Sequence, residues 1–345
     1  MKEGWEVKKL GEVCEINYGT RVVQKKDGGT IYPVYGGGGA TFKMDIYNRE
    51  DCLVVSRFAM SSQCVRYVCG KFFLNDSGLT VKTDNVCLSQ EYLDKCILSL
   101  NDKIYSLGKG VAQKNLDMKE FRNLNIHYPI SLPEQSRIVE ELDLLSNIIE
   151  KKRQQLSELD NLAQSIFYDM FGDPVTNEKG WDTRDFSKCY KLSSGDGLSA
   201  KNIIKGDFPV YGGNGIVGYH IDYNMDGEYI IIGRVGALCG NVRNVIGKAF
   251  ITDNAFILSK NVENVNVYLM YLLKIHNLRQ YAREAMQPVI SNTSLKNLRI
   301  ILPPLNLQQL FAQKIEAIEK QKVLIKQSIA ETEELFNSRM DYYFS

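Results

Sequence analysis

The stretch YPVYGGGGATF, residues 32–42, returns as FPVYGGNGIVG, residues 208–218, after 176 residues of a 345-residue chain. A glycine loop that holds phosphate leads into a helix N-terminus and, in the P-loop, into a Lys and a hydroxyl. Residues 40–58, ATFKMDIYNREDCLVVSRF, instead alternate polar and apolar side chains, which favours strands. The duplication is therefore a better guide to the organisation of the chain than a nucleotide-loop interpretation of the glycines.

The duplication extends well beyond the glycine loop. A GW pair ends at Trp5 and at Trp181, VVSRFA with Arg57 matches IIGRVGA with Arg234, and LPEQSRIVEEL matches LNLQQLFAQKI. The spacing between matching segments stays between 173 and 177 residues, as a few loop insertions would make it. We interpret the chain as two tandem copies, residues 1–171 and 172–345, each a mixed α/β globule of short strands and helices followed by one long helix.

The end of each copy shows the 3-4 apolar spacing of a coiled-coil seam. Pro133 stands where the first pattern starts, Pro303 and Pro304 stand just before the second, and Gly172 ends the first. Either the two seams pack on each other or each helix packs on its own globule, and the length of ~38 residues, about 57 Å, favours the former. The seam residues are Ile138, Leu142, Leu145, Ile149, Lys152, Leu156, Leu159, Ala163, Ile166 and Met170, then Phe311, Ile315, Ile318, Lys322, Ile325, Ile329, Thr332, Phe336, Arg339 and Tyr343.

Composition narrows the class of protein. No apolar run approaches the ~18–20 residues that span a bilayer, and the first ten residues show no secretory pattern, so we expect a cytoplasmic protein without membrane contact. Eight cysteines without a CxxC pair and three scattered histidines predict reduced, buried thiols and no metal site.

The net charge of +1 is the sum of segments with opposite net charges. Residues 1–132 hold 18 basic and 15 acidic side chains, and residues 172–300 hold 15 and 12. The segments 133–171 and 301–345 are net acidic. Mildly basic globules permit contact with DNA phosphates without requiring it.

These residues together resemble a known family. GWEVKKLGEVCEI, PVYGGNG, IIIGRVGALCG and LPEQSRIVEEL, present in two rounds over nearly the whole chain, resemble the specificity subunit of type I restriction-modification systems. The resemblance implies an α+β fold in which two target recognition domains are separated by two long antiparallel helices with pseudo-twofold symmetry. The first copy departs from the pattern, with VVSRFAMSSQC in place of IIIGRVGALCG, which leaves open what that domain recognises.

The resemblance also implies domains, partners and chemistry. Residues 1–131 and 172–302 would be the recognition domains, and residues 132–171 and 303–345 the spacer helices. The partners would be double-stranded DNA, two methyltransferase subunits by the pseudosymmetry and, through them, restriction subunits. The subunit itself would be non-catalytic and without a cofactor. In agreement, the sequence has no Asn-Pro-Pro-aromatic or Asp-Pro-Pro-Tyr run, no HExxH motif and no Ser-His-Asp arrangement.

Base edges are recognised by paired donors and acceptors, with Arg suited to guanine and Asn or Gln to adenine. The role of the glycines stays open, because they either approach the duplex or only close a hairpin. The role of Arg57 and Arg234 also stays open, because they either contact bases or pair with acids such as Asp76 and Asp253. The two domains differ, so we expect an asymmetric, bipartite target with an unread gap. The candidate DNA-binding residues are Tyr35, Gly36, Gly37, Arg57, Lys109 and Gln113 in the first copy, and Tyr211, Gly212, Gly213, Asn214, Arg234 and Gln287 in the second.

Two other functions are also compatible with the sequence. A coiled-coil scaffold that organises partners without nucleic acid would not show salt-dependent duplex binding. A methyltransferase that uses the glycine loops would bind S-adenosylmethionine as an isolated chain.

Overall fold

A computed structural model describes residues 3–111, 113–283 and 286–344. The chain divides into two compact units. Unit 1 comprises Met1–Lys152 together with Ser328–Ser345, and unit 2 comprises Arg153–Gln327. Both long helices run through this division, so each unit contains one part of each helix.

Unit 1 is built on a six-stranded sheet with the order β2-β7-β5-β6-β3-β4, while β1 pairs with β10 and β8 with β9. Its helices are α1 Leu10–Val13, α2 Gln24–Asp27, α3 Gln90–Ser99, α4 Asn101–Ser106, α5 Met118–Arg122 and the first part of α6 Leu132–Phe171. Its strands are β1 Trp5–Lys9, β2 Cys14–Tyr18, β3 Tyr32–Tyr35, β4 Ala40–Met44, β5 Arg49–Ser56, β6 Val65–Leu74, β7 Gly78–Thr83, β8 Gly108–Lys109, β9 Asn115–Leu116 and β10 Asn125–Pro129.

Unit 2 has a four-stranded sheet with the order β12-β18-β15-β16, a three-stranded sheet with the order β14-β13-β17 and the pair β11-β19. Its helices are α7 Phe186–Cys189, α8 Asn266–Ile275, the 3₁₀ turns Ala200–Asn202 and Leu278–Tyr281, and the first part of α9 Leu305–Phe344. Its strands are β11 Thr183–Asp185, β12 Tyr190–Ser194, β13 Phe208–Gly212, β14 Gly215–His220, β15 Glu228–Gly233, β16 Val242–Ile246, β17 Phe250–Ile251, β18 Ala255–Lys260 and β19 Arg299–Ile301.

The elements of the two units follow one another in nearly the same order, as the sequence repeat predicts. The main difference is that β6 is one strand of 10 residues that pairs with both β5 and β3, whereas β16 and β17 divide these pairings between them. Gly247, with φ of 89°, lies between β16 and β17. A break at this position separates one sheet into two.

Each core is closed by both long helices. In unit 1, Ile138 and Leu142 of α6 pack in the same cluster as Tyr343 and Phe344 of α9. In unit 2, the corresponding cluster contains Phe167 and Phe171 of α6 together with Phe311 and Ile315 of α9. All the predicted seam residues are buried or partly buried.

Side chains of α6 and α9 also contact each other within each unit. In unit 1, Lys152 Nζ donates to Ser328 Oγ at 2.6 Å, and Tyr343 OH donates to Glu141 Oε2 at 2.7 Å. In unit 2, Lys322 Nζ lies 2.8 Å from Asp160 Oδ1. Residue numbers rise along α6 as they fall along α9, so within unit 1 the two helical segments run in opposite directions.

The thiol prediction is confirmed in part. All eight cysteines are free, but Cys52 and Cys87 are only partly buried and Cys69 is exposed; Cys69 lies within β6, opposite the register shift between Glu50 and Cys52. Among residues 3–111, 113–283 and 286–344, no group of three metal-ligand side chains comes together, and no helix is both long and apolar enough to cross a bilayer.

A buried glutamine fastens the start of each long helix to its globule. Gln135 accepts from Ser89 N at 2.8 Å and donates to the carbonyl oxygens of Pro129 at 2.7 Å and Cys87 at 2.6 Å. Gln308, the fourth residue of α9 as Gln135 is of α6, accepts from Val265 N at 3.0 Å and donates to Pro303 O at 2.8 Å. Ser89 and Val265 are themselves the N-cap residues of α3 and α8.

We expect Gln135→Leu or Gln308→Leu to destabilise its own unit by about 1–3 kcal/mol, because backbone groups lose a side-chain partner in a buried setting. Gln309→Leu is the matched control, since Gln309 is exposed in the same turn of α9. Urea denaturation followed by circular dichroism measures the midpoints. Equal midpoints for Gln308→Leu and Gln309→Leu would contradict this role.

Candidate nucleic-acid interface

Three loops meet in unit 1: a glycine loop (residues 36–39), an arginine loop (57–60) and a glutamine loop (described residues 109–111 and 113–115). Ser56 Oγ, at the end of β5, donates to Gly37 O at 2.7 Å and so joins the glycine loop to the arginine loop. Leu116 N donates to Arg57 O at 2.8 Å, and Met60 N donates to Lys114 O at 3.0 Å. These bonds hold the glutamine loop against the arginine loop.

The same three loops meet in unit 2, where the described residues are 212–215, 234–238, and 283 with 286–289. Ile290 N donates to Arg234 O at 2.9 Å, and Gly236 N donates to Pro288 O at 3.1 Å. A Cβ on Gly213 would lie 2.7 Å from Val235 O, so this glycine loop also touches its arginine loop. Gln113 and Gln287 thus lie on equivalent loops.

The glycines have a structural role in closing a hairpin. The loops join β3 to β4 and β13 to β14, and Gly39 and Gly215 adopt φ of 119° and 118°, which favours glycine. A Cβ on Gly37 would lie 2.2 Å from Phe58 O. Gly36, Gly37 and Gly212 are buried, whereas Asn214 is exposed. A duplex contact by this loop stays a prediction.

Neither predicted arginine pairs with an acid among the residues that the structure describes. The Arg57 guanidinium lies over the rings of Tyr18 and Phe58, at 4.7 and 4.5 Å from their centroids. Arg234 donates from Nη1 to Ser194 Oγ at 3.3 Å and approaches the backbone oxygen of Asp253 at 3.5 Å, not its carboxylate. The alternative of ion pairs with Asp76 and Asp253 is therefore not observed.

The two tyrosines predicted to bind DNA, Tyr35 and Tyr211, each pack part of their ring against the domain. Tyr35 packs edge-on against Phe72 with centroids 5.4 Å apart, and Tyr211 packs against the small cluster that contains Tyr229 and Ile231. Both tyrosines are half-buried, so only part of each ring is available to a ligand.

Three of the predicted side chains on the glutamine loops reach solvent. Gln113 and Gln287 are exposed. Lys109 is exposed too, but its ammonium forms an ion pair with Asp117. This contact raises the pKa of Lys109 and lowers the pKa of Asp117.

The family of type I restriction modification DNA specificity domains matches this sequence twice, over residues 2–161 and 178–334. The chain belongs to this family. Its two specificity domains thus correspond to the two rounds of the sequence repeat.

Two curated specificity subunits are similar to this chain. It is 30% identical over 210 residues to the type I restriction enzyme EcoprrI specificity subunit of Escherichia coli, a match that covers 56% of this chain and 52% of that protein. It is 26% identical over 241 residues to a putative type I specificity subunit of Mycoplasma pneumoniae, covering 66% and 88% of the two chains. The match thus spans about half the length of the E. coli relative.

The fold resembles a solved specificity subunit over the full chain. The crystal structure of the type I restriction-modification S subunit from M. genitalium aligns with a TM-score of 0.63 and 16% identity, covering 99% of this chain and 96% of the other. At this identity the likeness concerns the fold alone.

Two arginines of the specificity domains were missed by the sequence reasoning. Arg66 Nη2 donates to Gly37 O at 2.8 Å, and Arg243 Nη2 donates to Asn214 O at 3.0 Å. Both are half-buried and hold a glycine loop, Arg66 from β6 and Arg243 from β16. The signal was available, because VRYV and VRNV recur 177 residues apart, within the spacing of the other repeats.

In chemical terms, each specificity domain presents amide and guanidinium groups on braced loops at the ends of strands. Side-chain amides offer the donor-acceptor pair that adenine requires, and guanidinium groups suit guanine or phosphate. Hydrogen bonds between the three loops limit their movement, which favours specific contacts over adaptable ones.

We expect Gly37→Ala to destabilise unit 1 by about 1–3 kcal/mol, because a Cβ at this position overlaps the Phe58 carbonyl and forces the two loops apart. Gly38→Ala is the matched control, since no atom lies within 4 Å of its added Cβ. Thermal unfolding and duplex binding measure the effect. A Gly37→Ala protein as stable as Gly38→Ala would contradict the close packing of these loops.

Proposed function

We propose that this chain is the non-catalytic DNA-recognition subunit of a type I restriction-modification complex. Residues 1–131 and 172–302 each recognise one half-site of an asymmetric target. The observation that carries this proposal is the duplicated cluster of glycine, arginine and glutamine loops in a chain of two specificity domains. The chemistry belongs to partner subunits, in keeping with the absence of methyltransferase motifs from the sequence.

The most exposed of the predicted residues are the best candidates for base contacts. Asn214, Gln113 and Gln287 carry amides that reach solvent, and adenine is the base that an amide pairs with in two hydrogen bonds. The glycine at position 38 occupies the place of Asn214 in the first copy. Different side chains on equivalent loops support different half-sites.

We further propose that residues 132–171 and 303–345 form an antiparallel coiled coil that sets the distance between the half-sites, with pseudo-twofold symmetry between the copies. The two helices have 40 residues each, about 60 Å at 1.5 Å per residue. Lys152 and Lys322 support this role, since a polar residue in an apolar seam fixes helix register at some cost in stability.

The outer surfaces of these helices would dock two methyltransferase subunits, and restriction subunits through them. Among the acidic residues of these helices, Glu141 is engaged by Arg339 at 2.7 Å and by Tyr343. Exposed apolar side chains are better anchors for a partner, because their burial drives association. The exposed large hydrophobic side chains on the two helices are Leu132, Leu144, Leu162, Tyr168, Leu310, Val323, Leu324, Leu335 and Tyr342.

Removal of one heptad from both helices, residues 152–158 and 324–330, should shorten the spacer by about 10 Å, or about three base pairs. We expect the unread gap to shorten accordingly while both half-sites stay the same, as read by methylome sequencing of a host that expresses the variant with its modification subunit. Removal from α6 alone is the control and should abolish methylation, because the seams no longer match. Altered half-sites in the double deletion would refute the spacer role.

Co-expression with the cognate modification subunit separates this function from a scaffold without nucleic acid. We expect the two subunits to co-purify and to bind duplex DNA with an affinity that falls steeply as salt rises. A stable complex that binds no duplex DNA, even at low salt, would favour the scaffold.

A further inference from the structure

The two glutamine loops carry a cation at the same position but in different surroundings. Lys109 pairs with Asn115 across its loop, and Arg283 bridges to Val289 across the other. The residue after each partner, Leu116 or Ile290, donates to the arginine-loop carbonyl. Lys109 and Arg283 are therefore structural equivalents.

In unit 1 the cation is neutralised within the chain. Asp117 pairs with Lys109 and also accepts from the backbone N–H groups of Lys119 at 2.9 Å and Glu120 at 3.2 Å. A lysine held by its own carboxylate gains little from a phosphate, because the two anions compete for one ammonium.

In unit 2 the place of Asp117 is taken by Ser291, and hydroxyls replace the carboxylate. Ser291 Oγ lies 2.9 Å from Thr293 Oγ1 and 2.8 Å from Ser294 Oγ. These three residues line an open cleft of about 620 Å³ together with Arg283 and Val289. Arg283 is exposed and no carboxylate of the described residues pairs with it.

We propose that Arg283 and the hydroxyls of Ser291, Thr293 and Ser294 bind a phosphodiester group of DNA, in the second specificity domain alone. The inference rests on the proposed DNA-recognition function and adds to it a site for the backbone. A guanidinium offers several donors in a plane that matches phosphate oxygens, and hydroxyls rotate to donate to the same anion.

The chemistry favours phosphate over a base edge as the ligand. A hydroxyl donates or accepts with any base and so distinguishes none of them, whereas several donors around one cation suit an anion. Such a contact would fix the position of the second half-site without changing its sequence. The first domain, with Asp117 in place, would depend on other groups for its backbone contacts.

The test uses the assembled complex with its modification subunit and a duplex that carries the methylated motif. In Arg283→Gln, the slope of log K against log salt should become shallower by about one, with affinity about fivefold weaker near 0.15 M salt. The methylated motif should stay unchanged. Lys109→Gln is the matched control and should alter the slope far less, because Asp117 already neutralises Lys109.

Asp117→Ser gives the reciprocal test, because it transfers the arrangement of unit 2 to unit 1. Serine also keeps an N-cap for α5. We expect this variant to release Lys109, steepen the slope by about one and tighten binding about fivefold near 0.15 M salt.

Duplexes with a neutral methylphosphonate at single positions locate the contact. One position beside the second half-site should weaken binding by the wild-type complex but leave binding by Arg283→Gln unaffected. If the wild-type complex binds DNA and Arg283→Gln keeps its slope, the phosphate site is wrong and the proposed function stands. If the wild-type complex binds no duplex, the proposed function fails as well.

Discussion

The hydrogen bonds of Gln135 and Gln308 are the constraint on which the rest of the structure depends. Each amide is buried at the fourth residue of a long helix and is bonded to the loop that precedes α3 or α8. A buried amide without partners costs free energy, so the first turn of the helix has one favourable orientation on its globule. A spacer helix can fix a distance only if its attachment is fixed in this way.

The two specificity domains share the hydrogen bonds that hold their loops but differ in some of the side chains that these loops expose. The braces of the loops recur: Arg66 and Arg243 hold the glycine loops, and Leu116 and Ile290 bond to the arginine loops. Some exposed positions differ between copies, as Gly38 does from Asn214 and Lys109 from Arg283, whereas Gln113 and Gln287 are alike. Selection for a new target can therefore act on solvent-facing side chains while the hydrogen bonds that position them stay unchanged.

The large features of the fold could be predicted from the sequence because they come from periodicity and repetition. The seam residues of α6 and α9 fall on the buried sides of both helices, and the glycine loops were found as hairpins, one of the two alternatives weighed. The Lys109–Asp117 pair could not be predicted, because it joins two sides of a loop whose path depends on the arginine loop beneath it. The single strand β6 was equally hidden, because Gly70 within β6 and Gly247 between β16 and β17 both adopt positive φ, of 75° and 89°, and only in unit 2 is the strand interrupted there.

The central claim is that a rigid spacer holds two dissimilar recognition surfaces at one separation on DNA. The most direct measurement is the affinity of the assembled complex for duplexes that keep both half-sites and vary the gap by single base pairs. We predict one preferred gap, with a loss of at least about tenfold for one base pair more or fewer, because each base pair also rotates one half-site around the helix axis. Equal affinity over several neighbouring gap lengths would contradict the account.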